Sequence, residues 1–330
     1  VNGAAAGQGW SMVTLPRIAP MLATPGTLPA PSAEHLWSAE TKYDGQRAVV
    51  YLPGDGTLVL RSRSGAAVTA AYPELRPLGG ALGGVPAVLD GELIALDEQG
   101  RPDFERLQSR MGLSAAPAKA ARLAARIPAH LVLFDALHLD GRDLTHLPHA
   151  ERRRLLEALA LHAAHWSTPA AVTGHAREAF ALTREHGLEG VVLKRTDSRY
   201  EPGVRSRAWI KLRHLRTADC MIGGWVPVRG SASPLPGAVL VGERLEDGGL
   251  RYAGSVGTGW SERERAELAR LLTVAAVDDC PFTTLPPVPA ARWVLPRLVG
   301  EVRYATRTRA GLLRQPVWHR LRPDLAPEHL

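Results

Sequence analysis

The feature that most limits how this chain can fold is the rhythm of its apolar runs. Short strand-like stretches recur at Leu36–Glu40, Ala48–Tyr51, Thr57–Arg61 and Leu131–Leu139, each bounded by turn residues. Pro53-Gly54-Asp55-Gly56 reads as a hairpin turn, and Asp90-Gly91-Glu92, flanked by Val88–Leu89 and Leu93–Leu96, reads as a second one. Helical periodicity is interspersed at Asp103–Met111, Ala115–Arg126 and Glu151–Ala164, where Leu155, Leu156 and Leu159 form a stripe. A further helix is expected over Arg177–His186, closed by Gly187. Strands and helices do not alternate one for one, which argues against parallel crossover units and for an α+β domain with largely antiparallel sheets. After Arg213 the texture changes to short strands at Met221–Val228, Val239–Leu245, Leu250–Ser255, Leu298–Tyr304 and Val317–Arg320. One helix, Glu262–Leu272, interrupts them, opened by Ser261 and Glu264 as a capping box. That series suggests a small β-barrel of the OB type. The 330 residues are thus expected to form two domains, 1–214 and 215–330, with residues 1–36 as an irregular Ala-, Gly- and Pro-rich arm.

Charge and cysteine content narrow the function classes. The net charge of +7 divides into +4 over residues 1–213 and +3 over 214–330, so both halves can share an anionic partner. Two cysteines, Cys220 and Cys280, exclude a disulfide framework and a four-cysteine zinc site. No leader-like pattern opens the sequence and no apolar run reaches membrane-spanning length, so a cytoplasmic location without a membrane is expected.

Only four of the 40 basic residues are lysines: Lys42, Lys119, Lys194 and Lys211. Coding bias accounts for the excess of arginine, but lysine, unlike arginine, can lose its proton and become a nucleophile. Three of the four lie in stretches that carry chemistry. Lys42-Tyr43-Asp44-Gly45-Gln46-Arg47 follows a strand directly, and a lysine there with an adjacent carboxylate and a glycine that admits a ligand is a candidate covalent nucleophile. Asp90-Gly91-Glu92 supplies carboxylates, and Glu189-Gly190-Val191-Val192-Leu193-Lys194 joins a helix end to a strand. In Trp209-Ile210-Lys211-Leu212-Arg213 strand alternation points Lys211 and Arg213 to one face. An amine, carboxylates able to hold Mg²⁺ and cations facing an anion are the parts that phosphoryl or nucleotidyl transfer needs.

These stretches, together with Ser62-Arg63-Ser64-Gly65 and Phe134-Asp135-Ala136-Leu137, resemble in content and order the ATP-dependent DNA ligases of the covalent nucleotidyltransferase superfamily. The likeness covers about residues 15–325 and is greatest to the small bacterial C-type ligases, built from a nucleotidyltransferase domain and an OB domain. It implies ATP-grasp-like antiparallel sheets in the first domain, ATP with Mg²⁺ (or Mn²⁺) as cofactors, and nicked duplex DNA as substrate in repair and recombination. A monomer associated with the nucleoid, helped by a clamp or a Ku-like repair partner, is the corresponding expectation. Lys42 would attack the α-phosphorus of ATP, with Asp44 beside it in the catalytic motif. Glu40 would meet adenine through its backbone, Arg47 the ribose or the nick, Arg63 a phosphate, and Glu92 the ribose or a metal. Phe134 would stack on adenine and Glu189 would hold metal, while Arg205, Lys211 and Arg213 would face the α-phosphate, Arg213 standing where lysine is usual. The family's closing R-x-D-K reads here as Arg322-Pro323-Asp324-Leu325, without its lysine. Arg322 and Asp324 are expected to keep its role in expelling pyrophosphate, with Arg314 as a helper.

Other signals are discounted. Gly254–Gly259 lacks the Gly-Lys-Ser/Thr ending of a phosphate loop. His146, His149, His162 and His165 lack a completing ligand set and read as exposed histidines; Arg152-Arg153-Arg154 reads as a solvated face and Lys119 as a surface residue. Two alternatives stay open: an RNA ligase or GTP-using capping-type nucleotidyltransferase, which Ser62–Gly65 and Tyr72-Pro73-Glu74-Leu75 disfavour, and an idle OB-fold nucleic-acid binder. An NAD-dependent ligase is disfavoured by the missing zinc cysteines.

Overall fold

Two sheets build the part of the chain before His214, and the alternation of one strand shows how they are joined. Gln46–Leu52 sends Ala48, Val50 and Leu52 into an apolar cluster with Leu75, Leu78, Leu107 and Leu156, and sends Val49 and Tyr51 into another with Met21, Tyr200 and Trp209. The second cluster is the seam between the sheets. The computed structural model describes residues 14–228 and 235–326, and the chain divides into two compact units between Arg213 and His214.

In the first unit, a seven-stranded sheet carries Val59–Ser62, Gln46–Leu52, Ala87–Ala95, Ala129–Leu139, Trp166–Ser167 and His162–Ala163 in that order, with Arg142–Asp143 paired to Ala129–Leu139. A five-stranded sheet runs Leu22–Pro25, Arg205–Arg213, Gly190–Arg195, Trp37–Thr41, Val172–Thr173. Its outer face packs Trp37, Ala39, Val191, Leu193 and Leu212 against Ala176 and Phe180 of the helix Ala176–Glu185. The hairpin at Pro53–Gly56 forms as expected, with Gly54 and Gly56 at positive φ, and Gly187 closes its helix at φ 66°. Both units mix helix with largely antiparallel sheet, the α+β arrangement the sequence implies.

Four expectations are corrected. Asp90-Gly91-Glu92 is not a turn: Ala87–Ala95 is one continuous strand, paired on both sides. The expected helix Glu151–Ala164 ends at Ala158, where Ala160 takes φ 50° and the chain turns back into the short strands His162–Ala163 and Trp166–Ser167. Arg152 and Arg153 are buried, and only Arg154 of that run is exposed. His149 is buried as well, against the expectation of an exposed histidine.

In the second unit Arg216–Pro227 is central, pairing with Pro236–Arg244 on one side and with Arg292–Val294 and Val299–Tyr304 on the other. Cys220, Ile222, Trp225, Val239 and Val302 pack on Leu268 and Leu272 of the helix Glu262–Val274. The capping box forms both its bonds: the Glu264 amide donates to Ser261 Oγ at 3.2 Å, and the Ser261 amide to Glu264 Oε2 at 2.8 Å.

Arg152 holds Asp135 through two bonds of 2.8 and 2.9 Å, with both side chains out of solvent. Removing one member strands a buried charge. Arg152→Met should therefore lower the unfolding free energy by about 3–5 kcal/mol, whereas exposed Arg154→Met should change it by no more than about 0.5 kcal/mol; denaturant titration of the two variants measures both.

Candidate active site

Three rows of residues across the five-stranded sheet set the floor of a cavity. The Lys42 amide donates to the Gly190 carbonyl at 2.9 Å, and Gly190 pairs on its other side with Arg213. Val192 lies between Glu40 and Lys211, and Lys194 between Ser38 and Trp209. Because side chains two apart on a strand share a face, Glu40, Lys42, Lys194, Trp209, Lys211 and Arg213 all line one cavity of about 280 Å³. The seven-stranded sheet contributes Arg47, Glu92 and Phe134, and Arg63 and Arg205 complete the wall. Residues spread over 174 positions of sequence, from Glu40 to Arg213, thus meet at one place.

Two glycines make the geometry possible. A Cβ on Gly45 would stand 2.2 Å from the Leu93 carbonyl oxygen and 2.8 Å from Glu92 Cγ, so this glycine, which also lines the cavity, lays the Lys42 loop on the Ala87–Ala95 strand. Gly190 adopts φ 145°, and a Cβ there would lie 2.0 Å from the Leu212 carbonyl oxygen. Its row carries Lys42 and Arg213.

Lys42 Nζ donates to Glu189 Oε2 at 2.5 Å, and Arg213 Nε lies 2.9 Å from the other oxygen of the same carboxylate. Lys194, fully buried, places its ammonium 2.7 Å from Glu40 Oε2, bonds the Phe134 carbonyl at 3.3 Å, and lies 4.5 and 4.4 Å from the Phe134 and Trp209 ring centres. Burial pulls the Lys194 ammonium below its ordinary value, against the attraction of Glu40 and Asp135. Burial would raise the Glu40 carboxyl, but Lys194, His149 and Arg153 outweigh it and hold it at about 2. Arg47 forks onto Asp90 with two bonds of 2.6 Å, Tyr200 donates to the same carboxylate at 2.5 Å, and the guanidinium covers Phe134 at 4.7 Å.

Glu92 is the contrasting carboxyl. Burial pushes it up to about 7 against the pull of Arg47 and Lys42, and Asp90 and Glu189 add to the rise. Lys211 is drawn down by burial and by the neighbouring cations Arg213, Arg205, Lys42 and Arg63. One wall of the cavity is therefore crowded with positive charge that an anion would relieve.

Asp44 adjoins Lys42 in sequence but does not line the cavity, whereas Glu189 joins it through Lys42. Arg322 belongs to the second unit, where Asp324 (2.9 and 2.8 Å) and Asp219 (2.9 Å) hold it. Lys194 and Trp209 received no role from the sequence, although the alternation that aligned Lys211 with Arg213 also aligns Trp209, and the same alternation pairs Lys194 with Val192. Among the described residues Trp209 Nε1 is buried without a hydrogen-bond partner, so its N–H is available to a ligand or to water.

Comparison with known proteins places this geometry. The profile of the family described as "ATP dependent DNA ligase domain" matches residues 20–213, and that described as "ATP dependent DNA ligase C terminal region" matches residues 233–325. The chain belongs to the ATP-dependent DNA ligases. It is 42% identical over 316 residues to the multifunctional non-homologous end joining DNA repair protein LigD of Mycobacterium tuberculosis, covering 95% of this chain and 39% of that protein. The chain thus spans about two fifths of the length of the LigD proteins it matches. DNA ligase C of the same organism is 33% identical, with 95% of this chain and 92% of the relative covered. The solved structure of mycobacterial DNA ligase D complexed with ATP and MES has 41% identity, a TM-score of 0.55, and covers 95% of this chain and 97% of that one. The C-type likeness holds, and the identity to the LigD ligase segment is higher. In family terms the fold is a nucleotidyltransferase-like ligase domain followed by an OB-type domain.

Among the described residues no group of three His, Cys, Asp or Glu side chains gathers that could hold a metal alone. A cation that binds together with a nucleotide needs less, since Mg²⁺ is commonly held by one or two carboxylates with phosphate oxygens and water. Glu92 and Glu189 fit that requirement: both approach Lys42, and the Glu92 carboxyl makes no ion pair among the described residues.

Because Glu92 is raised from 4.5 to about 7, the free protein favours its neutral form and loses stability as pH climbs from 4.5 to 7. Glu92→Gln should accordingly match the wild type below about pH 4.5, gain through the interval, and be more stable by about 3 kcal/mol above pH 7; unfolding without nucleotide or metal across a pH series checks the sign.

Proposed function

We propose that this chain is the nick-sealing module of a DNA-repair ligase, adenylated on Lys42. The observation that carries this reading is the contact of Lys42 with Glu189 at 2.5 Å, in a cavity that also gathers Lys211, Arg213, Arg205 and Arg63. An ammonium cannot attack phosphorus; its proton must leave first, and Glu189 Oε2 is the acceptor in contact with Nζ. The free amine then forms the bond to the α-phosphorus of ATP as the bond to pyrophosphate breaks. Phe134 and Trp209 offer the base an aromatic and apolar wall, Lys211, Arg213 and Arg205 neutralise the α-phosphate, and Arg63 grips the outer phosphates. A divalent cation, Mg²⁺ or Mn²⁺, held by Glu92 and Glu189 would withdraw charge from the phosphate oxygens. Arg47, fixed by Asp90 and Tyr200, contacts ribose or the nick, and Asp44 stands beside Lys42 in the catalytic motif.

AMP passes from Lys42 to the 5′-phosphate of the nick, and the 3′-hydroxyl then displaces it to join the strand. Residues 1–214 act as the adenylation domain and 215–330 as the OB-type domain, with Arg322 and Asp324 assisting pyrophosphate release. The chain works as a monomer in the cytoplasm, at the nucleoid; no described helix is long and apolar enough to cross a membrane. The LigD relatives are named for non-homologous end joining, which favours that pathway and a Ku-like partner for the protein in which this module serves.

The test uses α-labelled ATP and defined nicked duplexes. Wild type should take label from ATP and not from GTP, and sealing should fall steeply as salt rises because phosphate contacts dominate DNA binding. Lys42→Ala should abolish labelling and sealing of a 5′-phosphate nick yet retain sealing of a nick adenylated beforehand, since the amine is consumed only in the first step. Labelling by GTP alone, or a labelled Lys42→Ala protein, contradicts the proposal.

A further inference from the structure

Beneath the cavity lies an imidazole that the reaction above leaves without a task. His149, the first residue of the helix His149–Ala158, is completely buried. Its Nε2 is 3.4 Å from Glu40 Oε1 and its Nδ1 is 3.7 Å from Asp135 Oδ2. The two carboxylates belong to different sheets: Glu40 to the strand Trp37–Thr41, two residues before Lys42, and Asp135 to the strand Ala129–Leu139, directly after Phe134. Among the described residues neither ring nitrogen has a hydrogen-bond partner of good geometry, and neither has Glu40 Oε1. Buried polar atoms left in that condition are costly, and a movement of a few tenths of an ångström would turn the His149–Glu40 approach into a bond.

We propose that His149 is a positioning residue for the nucleotide site: it ties the strand that presents the nucleophile to the strand that presents the stacking ring, and so fixes the separation of Lys42 from Phe134. The inference rests on adenylation at Lys42. Arg152 already satisfies Asp135 through two bonds, and Lys194 satisfies the other oxygen of Glu40. His149 therefore serves Glu40 Oε1, which among the described residues otherwise has only the Arg153 guanidinium at 3.9 Å. A nucleotide seated between Lys42 and Phe134 gains from a wall already held at the right separation, and loses affinity when it must order that wall itself. The loss should fall on nucleotide binding before chemistry, raising KM for ATP with little change in kcat.

His149→Phe keeps the ring and removes both nitrogens, while His149→Gln keeps one donor. Lys42–AMP formation by the full chain is followed against ATP concentration, at a temperature where each variant is folded. His149→Phe should raise KM about tenfold with kcat within about twofold, the loss of roughly one hydrogen bond to a charged partner, and His149→Gln should fall between it and wild type. In a Glu40→Gln background the effect of His149→Phe on KM should shrink, because the partner it acts through is gone. A folded variant with unchanged KM overturns the proposal, as does a fall in kcat alone, which would place the effect on the chemical step rather than on nucleotide binding. If His149→Phe does not fold, the KM of His149→Gln decides by the same criterion. Failure of wild type to label at all overturns the adenylation reading itself; failure confined to the variants overturns only the role of His149.

Discussion

An ammonium group with no access to water must find its partners inside the protein, and the first unit is arranged around one that does. Lys194 reaches Glu40 on its own sheet, the carbonyl of Phe134 on the other, and the faces of Phe134 and Trp209 between them. Its contacts join both sheets at the floor of the cavity, and the side chains that flank it are those from which a nucleotide site can be made. The pairs Arg47–Asp90 and Arg152–Asp135 repeat the device at either side. Buried pairs of this kind add little net stability against an apolar core, but each member is intolerable without the other, so they fix geometry more firmly than they stabilise the fold.

Local chemistry was readable wherever the structure obeys it locally. The Pro53–Gly56 hairpin, the Ser261–Glu264 capping box and the alternation of Lys211 with Arg213 all follow from neighbours within a few residues. The failures share the opposite cause. Asp90-Gly91-Glu92 has the composition of a turn, but Arg47 and Tyr200 satisfy Asp90 inside the sheet, so the strand continues through it. Arg152 and Arg153 look like a solvated face until Asp135 and Glu40 are brought to them by the fold. His149 acquired its meaning, and Lys194 its particular partners, only through the same long-range contacts. Gly45 lines the cavity, and what its sequence neighbours did not show is its close approach to the strand Ala87–Ala95.

The cavity also shows one residue type serving three purposes. Lys42 touches a carboxylate at the cavity wall, Lys194 is locked in the interior, and Lys211 faces other cations across open space. In the adenylation account these surroundings, rather than the amine itself, decide that the first attacks, the second holds and the third neutralises charge. The chain's place among the ATP-dependent DNA ligases explains why all three meet in one cavity. The most direct measurement is to map the adenylated residue: wild-type protein incubated with ATP and Mg²⁺ is digested and its peptides are analysed by mass spectrometry. AMP is expected on the peptide carrying Lys42 and on none carrying Lys194 or Lys211; AMP on either of the latter, or on no lysine, would contradict adenylation at Lys42.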